Sequence, residues 1–260
     1  MKMRESRVLR KLRAGETVCS FKLNLSCGQA AELVAMTGFD CIWLDMEHIA
    51  QDWSVIAAQN YAAKTYDTDV MVRVSRGGYS DYIKPFEMDA TGIMVPHIMN
   101  LDDARKVVHF TRFHPIGRRP IDGGNSDGCY TMVDLDDYIK QSNEQRFVVL
   151  QIEDPEPLDS LEAIAELEGY DMLFFGPGDF SQGIGAPGQW NHPLLLKTRE
   201  QVAKIARKYG KFAGTTGSID NYKNLIEMGY NFVNLGSDVV GLTAYCQKLA
   251  GEFKRGVNQA

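Results

Sequence analysis

Four apolar runs in this chain end on ionisable residues. Cys41-Ile42-Trp43-Leu44 leads into Asp45-Met46-Glu47-His48, placing two carboxylates and an imidazole side by side. Val70-Met71-Val72-Arg73-Val74 carries an arginine inside an otherwise apolar stretch. Val148-Val149-Leu150-Gln151-Ile152 runs into Glu153-Asp154, and Met172-Leu173-Phe174-Phe175 leads to Gly176-Pro177-Gly178-Asp179. Buried without partners, such groups would cost several kcal/mol each, so they must satisfy one another, a metal or a ligand. Glu153 and Asp179 provide two hard oxygen ligands, which suits Mg2+ or Mn2+ (Co2+ is a further candidate) better than zinc. Gln151 shares strand parity with Glu153 and could orient a water or a ligand carboxylate. His48 beside Asp45 has the make-up of a general base held in one tautomer by a carboxylate. The plainer alternative is a structural salt-bridge network around Arg73 with a structural histidine.

Other candidates carry less chemistry. His97 could line the same mouth, whereas His109, His114 and His192 fall on helix surfaces or loops. A Schiff-base mechanism needs a lysine inside the fold. Lys22 is the one candidate, since Lys211 lies at the wrong end of its strand. Thr215-Thr216-Gly217 and Gly236-Ser237 sit where phosphate is often bound, though tight turns use the same residues. Trp190 and Tyr130 are candidates for the substrate entrance, or simply for packing.

The elements that position these residues alternate from end to end. Apolar runs predict strands over 18–25, 41–47, 70–75, 92–98, 147–153, 172–176, 212–216 and 232–236. Helical spacing follows each of them, over 29–37, 53–66, 81–89, 101–113, 158–167, 193–209, 222–228 and 242–253, with a polar helix over 135–145. Gly38, Gly169, Gly210 and Gly229 stand where helix C-caps are expected. Eight strands, each followed by a helix, in 260 residues predict one α/β domain, a (β/α)8 TIM barrel spanning 1–260. An open doubly wound sheet is disfavoured because no G-x-G-x-x-G follows the first strand. In a barrel the chemistry lies at the C-terminal strand ends, where the ionisable groups cluster.

Composition narrows the function classes. Net charge is −6, and the basic residues between Arg4 and Arg13 form too short a stretch to suggest a nucleic-acid partner. An anionic substrate would need a local positive centre. Five scattered cysteines without a C-x-x-C pair argue against a zinc ribbon or disulfide framework and fit a reducing cytoplasm. No apolar run approaches the roughly 18 residues of a membrane span, and the basic N-terminus has no signal-peptide core.

These motifs resemble the HpcH/HpaI aldolase/citrate lyase family, the metal-dependent class II pyruvate aldolases, which include 2-keto-3-deoxy sugar-acid aldolases. The matching pieces are Leu44-Asp45-Met46-Glu47-His48, Val72-Arg73-Val74, Val95-Pro96 with Asn100 and Ala104-Arg105, and Arg112 with Pro115 and Gly117-Arg118. Gln151-Ile152-Glu153, Gly176-Pro177-Gly178-Asp179-Phe180-Ser181 and Gly236-Ser237-Asp238 complete the match, in order along nearly the whole chain.

The resemblance implies a barrel of the phosphoenolpyruvate/pyruvate type that reversibly cleaves a 4-hydroxy-2-oxo acid to a 2-oxo acid and an aldehyde. It implies Glu153 and Asp179 as metal ligands, Arg73 as holder of the 2-oxo acid and of its enolate, and His48 with Asp45 as base. Gln151, Gly176, Pro177 and Gly178 would contact the pyruvyl carboxylate. It further implies a homo-oligomer, a trimer of dimers with the C-terminal helix exchanged between subunits. A synthase or decarboxylase using the same enolate, citrate-lyase-like cleavage and a non-catalytic binder are the alternatives. Two departures stand out. Residues 118–128 replace the family's usual segment after strand four, where the acceptor aldehyde is expected to enter, and Phe21-Lys22-Leu23-Asn24 replaces a small-residue and tryptophan pattern.

Overall fold

A computed structural model describes residues 1–259. Its eight parallel strands close into a barrel in sequence order, β1 through β8. They are β1 Val18–Lys22, β2 Cys41–Asp45, β3 Asp69–Arg73, β4 Gly92–Val95, β5 Phe147–Ile152, β6 Met172–Phe175, β7 Phe212–Thr216 and β8 Phe232–Ser237. All eight fall where the apolar runs predict them, so the barrel and its strand order follow expectation.

Parity divides the side chains between two cores. Cys41, Trp43, Met71, Met94, Phe147, Val149, Met172, Phe174 and Phe232 fill the barrel interior. Ile42, Leu44, Val70, Val72, Ile93, Val148, Leu150 and Leu173 point outward into the core beneath the helices. This period-two division makes Lys22, Asp45, Arg73 and Gln151 the topmost inward positions of their strands. Gly92 exists for packing reasons: a Cβ there would lie 2.1 Å from the Phe147 ring.

The helices differ more from expectation. The main ring is α2 Gly28–Met36, α3 Trp53–Lys64, α4 Tyr79–Glu87, α5 Leu101–Thr111, α7 Leu161–Glu166, α9 Pro193–Lys208 and α10 Tyr222–Met228. Helix α6, Leu135–Gln145, precedes β5 as predicted. A 3-10 turn, Glu156–Ser160, takes the first residues expected of α7. Part of the Gly/Pro-rich loop after β6 forms a short helix, α8 Pro177–Gly183. The last helix, α11 Asp238–Gln259, is longer at both ends than its periodicity suggests.

The basic N-terminus forms a helix that sequence patterning did not reveal, α1 Arg7–Arg13, capped by Ser6. Its Val8, Leu9 and Leu12 join the interior core and plug the bottom of the barrel. Its cations meet aspartates at the N-terminal strand ends. Arg4 pairs with Asp69 at 2.9 Å, Arg7 and Lys11 with Asp40 at 2.9 Å each, and Arg10 with Asp67 at 2.8 Å. The charge of this stretch is therefore consumed within the fold.

Residues 115–134 also belong to the bottom. They connect α5 to β5, and such αβ connections lie opposite the catalytic end. Arg119 is buried, bonds Asp127 and Ser142 at 2.9 Å each, and stacks on Phe113 and Phe86. Ser126 is held by the Glu87 carbonyl at 3.1 Å and by Lys64 at 3.3 Å, and the Cys129 thiol faces the Lys2 carbonyl. The expectation that residues 118–128 guard the chain's own acceptor entrance is thus corrected. Tyr130 sits beside Met1 and Arg4 at this same end, so it does not line that entrance either.

One pair tests how much this end contributes. Arg146 is fully buried, and its charge is met by Asp89 at 2.5 Å. Asp89 has φ +67°, a conformation asparagine tolerates. Asp89→Asn leaves a buried guanidinium without its counter-charge and should cost about 3 kcal/mol in equilibrium urea unfolding. Adding Arg146→Met should recover part of the loss; no recovery would contradict the pairing argument.

Candidate active site

The topmost inward side chains form a charge network. Strand register sets Asp45 directly against Arg73. Arg73 grips Asp45 with two bonds, Nη2–Oδ2 at 2.5 Å and Nε–Oδ1 at 3.1 Å. Lys22 reaches the same carboxylate at 2.8 Å. Arg73 and Lys22 each also lie 5.1 Å from the centre of the Trp43 ring, which forms the floor beneath them. Burial opposes the charge of Asp45, but the two cations outweigh it and hold its carboxyl far below the usual range. Arg73 extends further to Glu47, Nη1–Oε2 at 3.0 Å.

Asp45 therefore does not hold the His48 ring. It accepts the backbone amides of Glu47 at 3.0 Å and His48 at 3.4 Å, tying the turn after β2 to Arg73. The His48 imidazole faces Glu47 instead, Nε2–Oε2 at 3.5 Å, and stands at the rim with 59% of its side chain exposed. The expected Asp45–His48 dyad is corrected on this point: a buried aspartate beside two cations has no acceptor capacity to spare for an exposed ring.

Glu153 lies at the end of β5, 1% exposed. One oxygen accepts the His97 amide at 3.0 Å, and the other contacts the Gln151 amide nitrogen. Gly176 lets the next strand pass close by, since a Cβ there would fall 2.7 Å from Glu153 Oε2. Burial pushes the Glu153 carboxyl up to about 7, and Asp179 adds to the rise, against the opposing pull of the His97 amide, His97 and Arg73. Asp179 projects from the first turn of α8 into the same cavity.

His97 is the residue the sequence underrated. Its backbone takes φ +50°, which turns its amide onto Glu153. Its ring joins Asp154 at 2.8 Å and Glu47 at 3.5 Å. Burial works against its charge, but Asp154 and the charges of Glu153 and Glu47 raise its pKa overall. No strand pattern signals this role, because it rests on one left-handed backbone position after β4.

These groups open on a cavity of about 700 Å3. Arg73, Gln151, Glu153 and Gly176 through Asp179 line it, with the inward rings of Trp43 and Phe174. Trp190, Leu196, Arg199, Thr216, Ser218 and Asn221 line it as well. Of the expected small-residue loops, Thr216 and Gly217 reach the cavity. Trp190 lines it as expected; Arg199 on α9 and Asn221 just before α10 were missed because charge and amide residues there read as ordinary surface.

Among the described residues, no three His, Cys, Asp or Glu side chains are gathered in a ligand cluster. The residues able to hold a cation are the pair Glu153 and Asp179. They fit a hard divalent ion that keeps most of its positions open: one is a carboxylate raised by burial, with a smaller push from the other. Beside it the Gln151 carbonyl oxygen is buried without a donor.

Comparison with known proteins agrees with this picture. Residues 23–244 match the model of the HpcH/HpaI aldolase/citrate lyase family. A 4-hydroxy-2-oxo-heptane-1,7-dioate aldolase of Shigella flexneri is 31% identical over 93% of this chain and 91% of its own. A hydroxypyruvate/pyruvate aldolase of Pseudomonas aeruginosa is 30% identical, over 96% and 94%. The solved structure of a family protein from Burkholderia cenocepacia J2315 superposes with TM-score 0.89 and 27% identity, over 96% of this chain and all of the other. With a match that covers strands β2 through β8 and relatives aligned over almost their full length, the chain belongs to the HpcH/HpaI aldolase/citrate lyase family and is a carbon–carbon lyase.

Proposed function

We propose that the protein reversibly cleaves a 4-hydroxy-2-oxo acid to pyruvate, or a related 2-oxo acid, and an aldehyde, with a divalent cation held by Glu153 and Asp179. One observation carries the reading: a buried guanidinium, an amide oxygen without a donor and two carboxylates line one cavity. When bound, Mg2+, Mn2+ or Co2+ supplies a Lewis acid that polarises the 2-oxo group.

The chain's own residues do the rest. Gln151 and the Gly176-Pro177-Gly178 segment line the cavity and would seat the carboxylate of the 2-oxo acid. As the bond between carbons 3 and 4 breaks, its electrons pass to the 2-oxo fragment as an enolate. Arg73 is fixed by Asp45 before substrate arrives, so its charge meets the developing oxyanion without reorganisation. The proton of the 4-hydroxyl goes to His48. Among the described residues that ring has one carboxylate neighbour, Glu47, and a second nitrogen without a protein partner. His97 spends its ring on Asp154 and Glu47 and acts as a positioning residue for Glu153.

Two further expectations are part of the proposal. Along α11, Leu242, Tyr245, Leu249, Phe253 and Val257 are exposed at spacings of three and four, one apolar stripe on a helix that stands away from its own barrel. Such a stripe supports a single barrel domain whose last helix is exchanged in a homo-oligomer, a trimer of dimers. Five free cysteines support a reducing, cytoplasmic setting. Among the described residues no helix is long and apolar enough to cross a membrane.

Four measurements test this. Arg73→Lys keeps a charge but loses the two-pronged grip on Asp45, and kcat for pyruvate release should fall about 10²–10³-fold with native circular dichroism. His48→Ala should lower it about 10²–10⁴-fold. Exhaustive chelation should abolish turnover, and Mg2+ or Mn2+ should restore it and raise the Tm of the wild type but not of Glu153→Gln. Full activity after chelation would defeat the metal reading. Light scattering should show an oligomer, and Leu249→Glu with Phe253→Glu should reduce its mass; a wild-type monomer would refute the exchange.

A further inference from the structure

Arginines buried in this protein come with an aspartate. Arg73 has Asp45, Arg112 has Asp171, Arg119 has Asp127 and Arg146 has Asp89. Arg199 is the exception. It stands on α9, half-buried, and among the described residues it enters no ion pair. Its Nε is buried without a hydrogen-bond partner. The guanidinium lies 5.9 Å from the centre of the Phe175 ring, and the hydroxyl of nearby Tyr230 donates to the Arg199 backbone carbonyl, not to its side chain. Burial draws its pKa down with no carboxylate to offset it.

This unpaired cation lines the same cavity as Glu153 and Asp179, together with Trp190, Ser218 and Asn221. A cavity of about 700 Å3 is far larger than a three-carbon acid requires. A chain of net charge −6 that leaves one arginine unpaired in such a place offers a local positive centre for an anion. A guanidinium fits a carboxylate or phosphate with paired N–H groups.

We propose that Arg199 forms a second anion subsite, which selects substrates whose aldehyde portion carries a remote carboxylate or phosphate. This rests on the aldolase reading of the same cavity: Arg73, Gln151 and the carboxylate pair take the 2-oxo acid, and Arg199 takes the charged end of its partner. It makes Arg199 a specificity residue, remote from the bond that breaks.

The test is a ratio. Addition of pyruvate to succinic semialdehyde, to 3-phosphoglyceraldehyde and to uncharged butanal is measured for wild type, Arg199→Gln and Arg199→Lys. The kcat/KM ratio of an anionic to the neutral acceptor should fall about tenfold in Arg199→Gln, chiefly through KM, and be largely restored in Arg199→Lys. A partly folded preparation lowers all rates alike and leaves the ratio alone. Comparison of the two anionic acceptors decides between carboxylate and phosphate. An unchanged ratio for both overturns the subsite. The donor reading is judged separately, by deuterium exchange at the methyl group of pyruvate in wild type with Mg2+. If that exchange is absent, the aldolase reading fails. Calorimetric titration with succinate and inorganic phosphate then decides the subsite: weaker binding of either by Arg199→Gln supports it, and equal binding of both removes it.

Discussion

The mouth of this barrel depends on one buried ion pair, Asp45 with Arg73. Strand register makes the two residues neighbours, and inward parity denies both of them water. An arginine in that position has to be paired, because an isolated buried charge is far more costly than anything the site could regain. Once the pair forms, other features follow. Asp45 ties down the turn that carries Glu47 and His48 through their amides. Arg73 stacks on Trp43 and keeps Nη1 directed at Glu47. Glu47 in turn reaches both imidazoles, His48 and His97. A single salt bridge thus fixes where positive charge is offered and where Glu47 stands between the two imidazoles.

The two ends of the barrel treat charge in opposite ways. At the bottom, each aspartate is saturated. Asp69 receives Arg4, the Ser6 hydroxyl and the Val8 amide, while Asp171 receives Arg112 and the Val148 amide. At the top, burial and, less strongly, Asp179 raise Glu153, and the Gln151 carbonyl oxygen lacks a donor. Native interiors rarely leave buried polar groups unpaired without reason. The contrast among the carboxylates agrees with the rule that barrels react at their C-terminal strand ends.

Much of this was legible in the chain. A period-two pattern names the inward residues of each strand, so Asp45, Arg73, Gln151 and Glu153 could be assigned to one mouth before any coordinates. What patterning could not supply is partner choice between residues close in sequence. His48 lies nearer to Asp45 along the chain than Arg73 does, yet the cross-strand neighbour wins because it is buried with the carboxylate while the histidine is not. His97 was underrated for a different reason, since its contribution is a backbone amide turned by a positive φ, which side-chain chemistry does not announce. Residues 118–128 were misplaced because following strand four in sequence is not the same as lying above it. The long α5 carries the chain back to the bottom first, and Arg119 buries the segment there.

The N-terminal segment shows the same limit in reverse. A run of cations between Arg4 and Arg13 reads as solvated surface, and its apolar residues are too few to declare a helix alone. Its helix forms because each side has somewhere to go. Val8, Leu9 and Leu12 enter the open bottom of the barrel, and the cations meet aspartates that the strand ends hold fixed. Those three aspartates, Asp40, Asp67 and Asp69, sit at the entries of β2 and β3, so their positions exist only once these strands have paired. Plug and barrel are mutually dependent: local propensity contributes little to α1, and tertiary charge and burial contribute most of it.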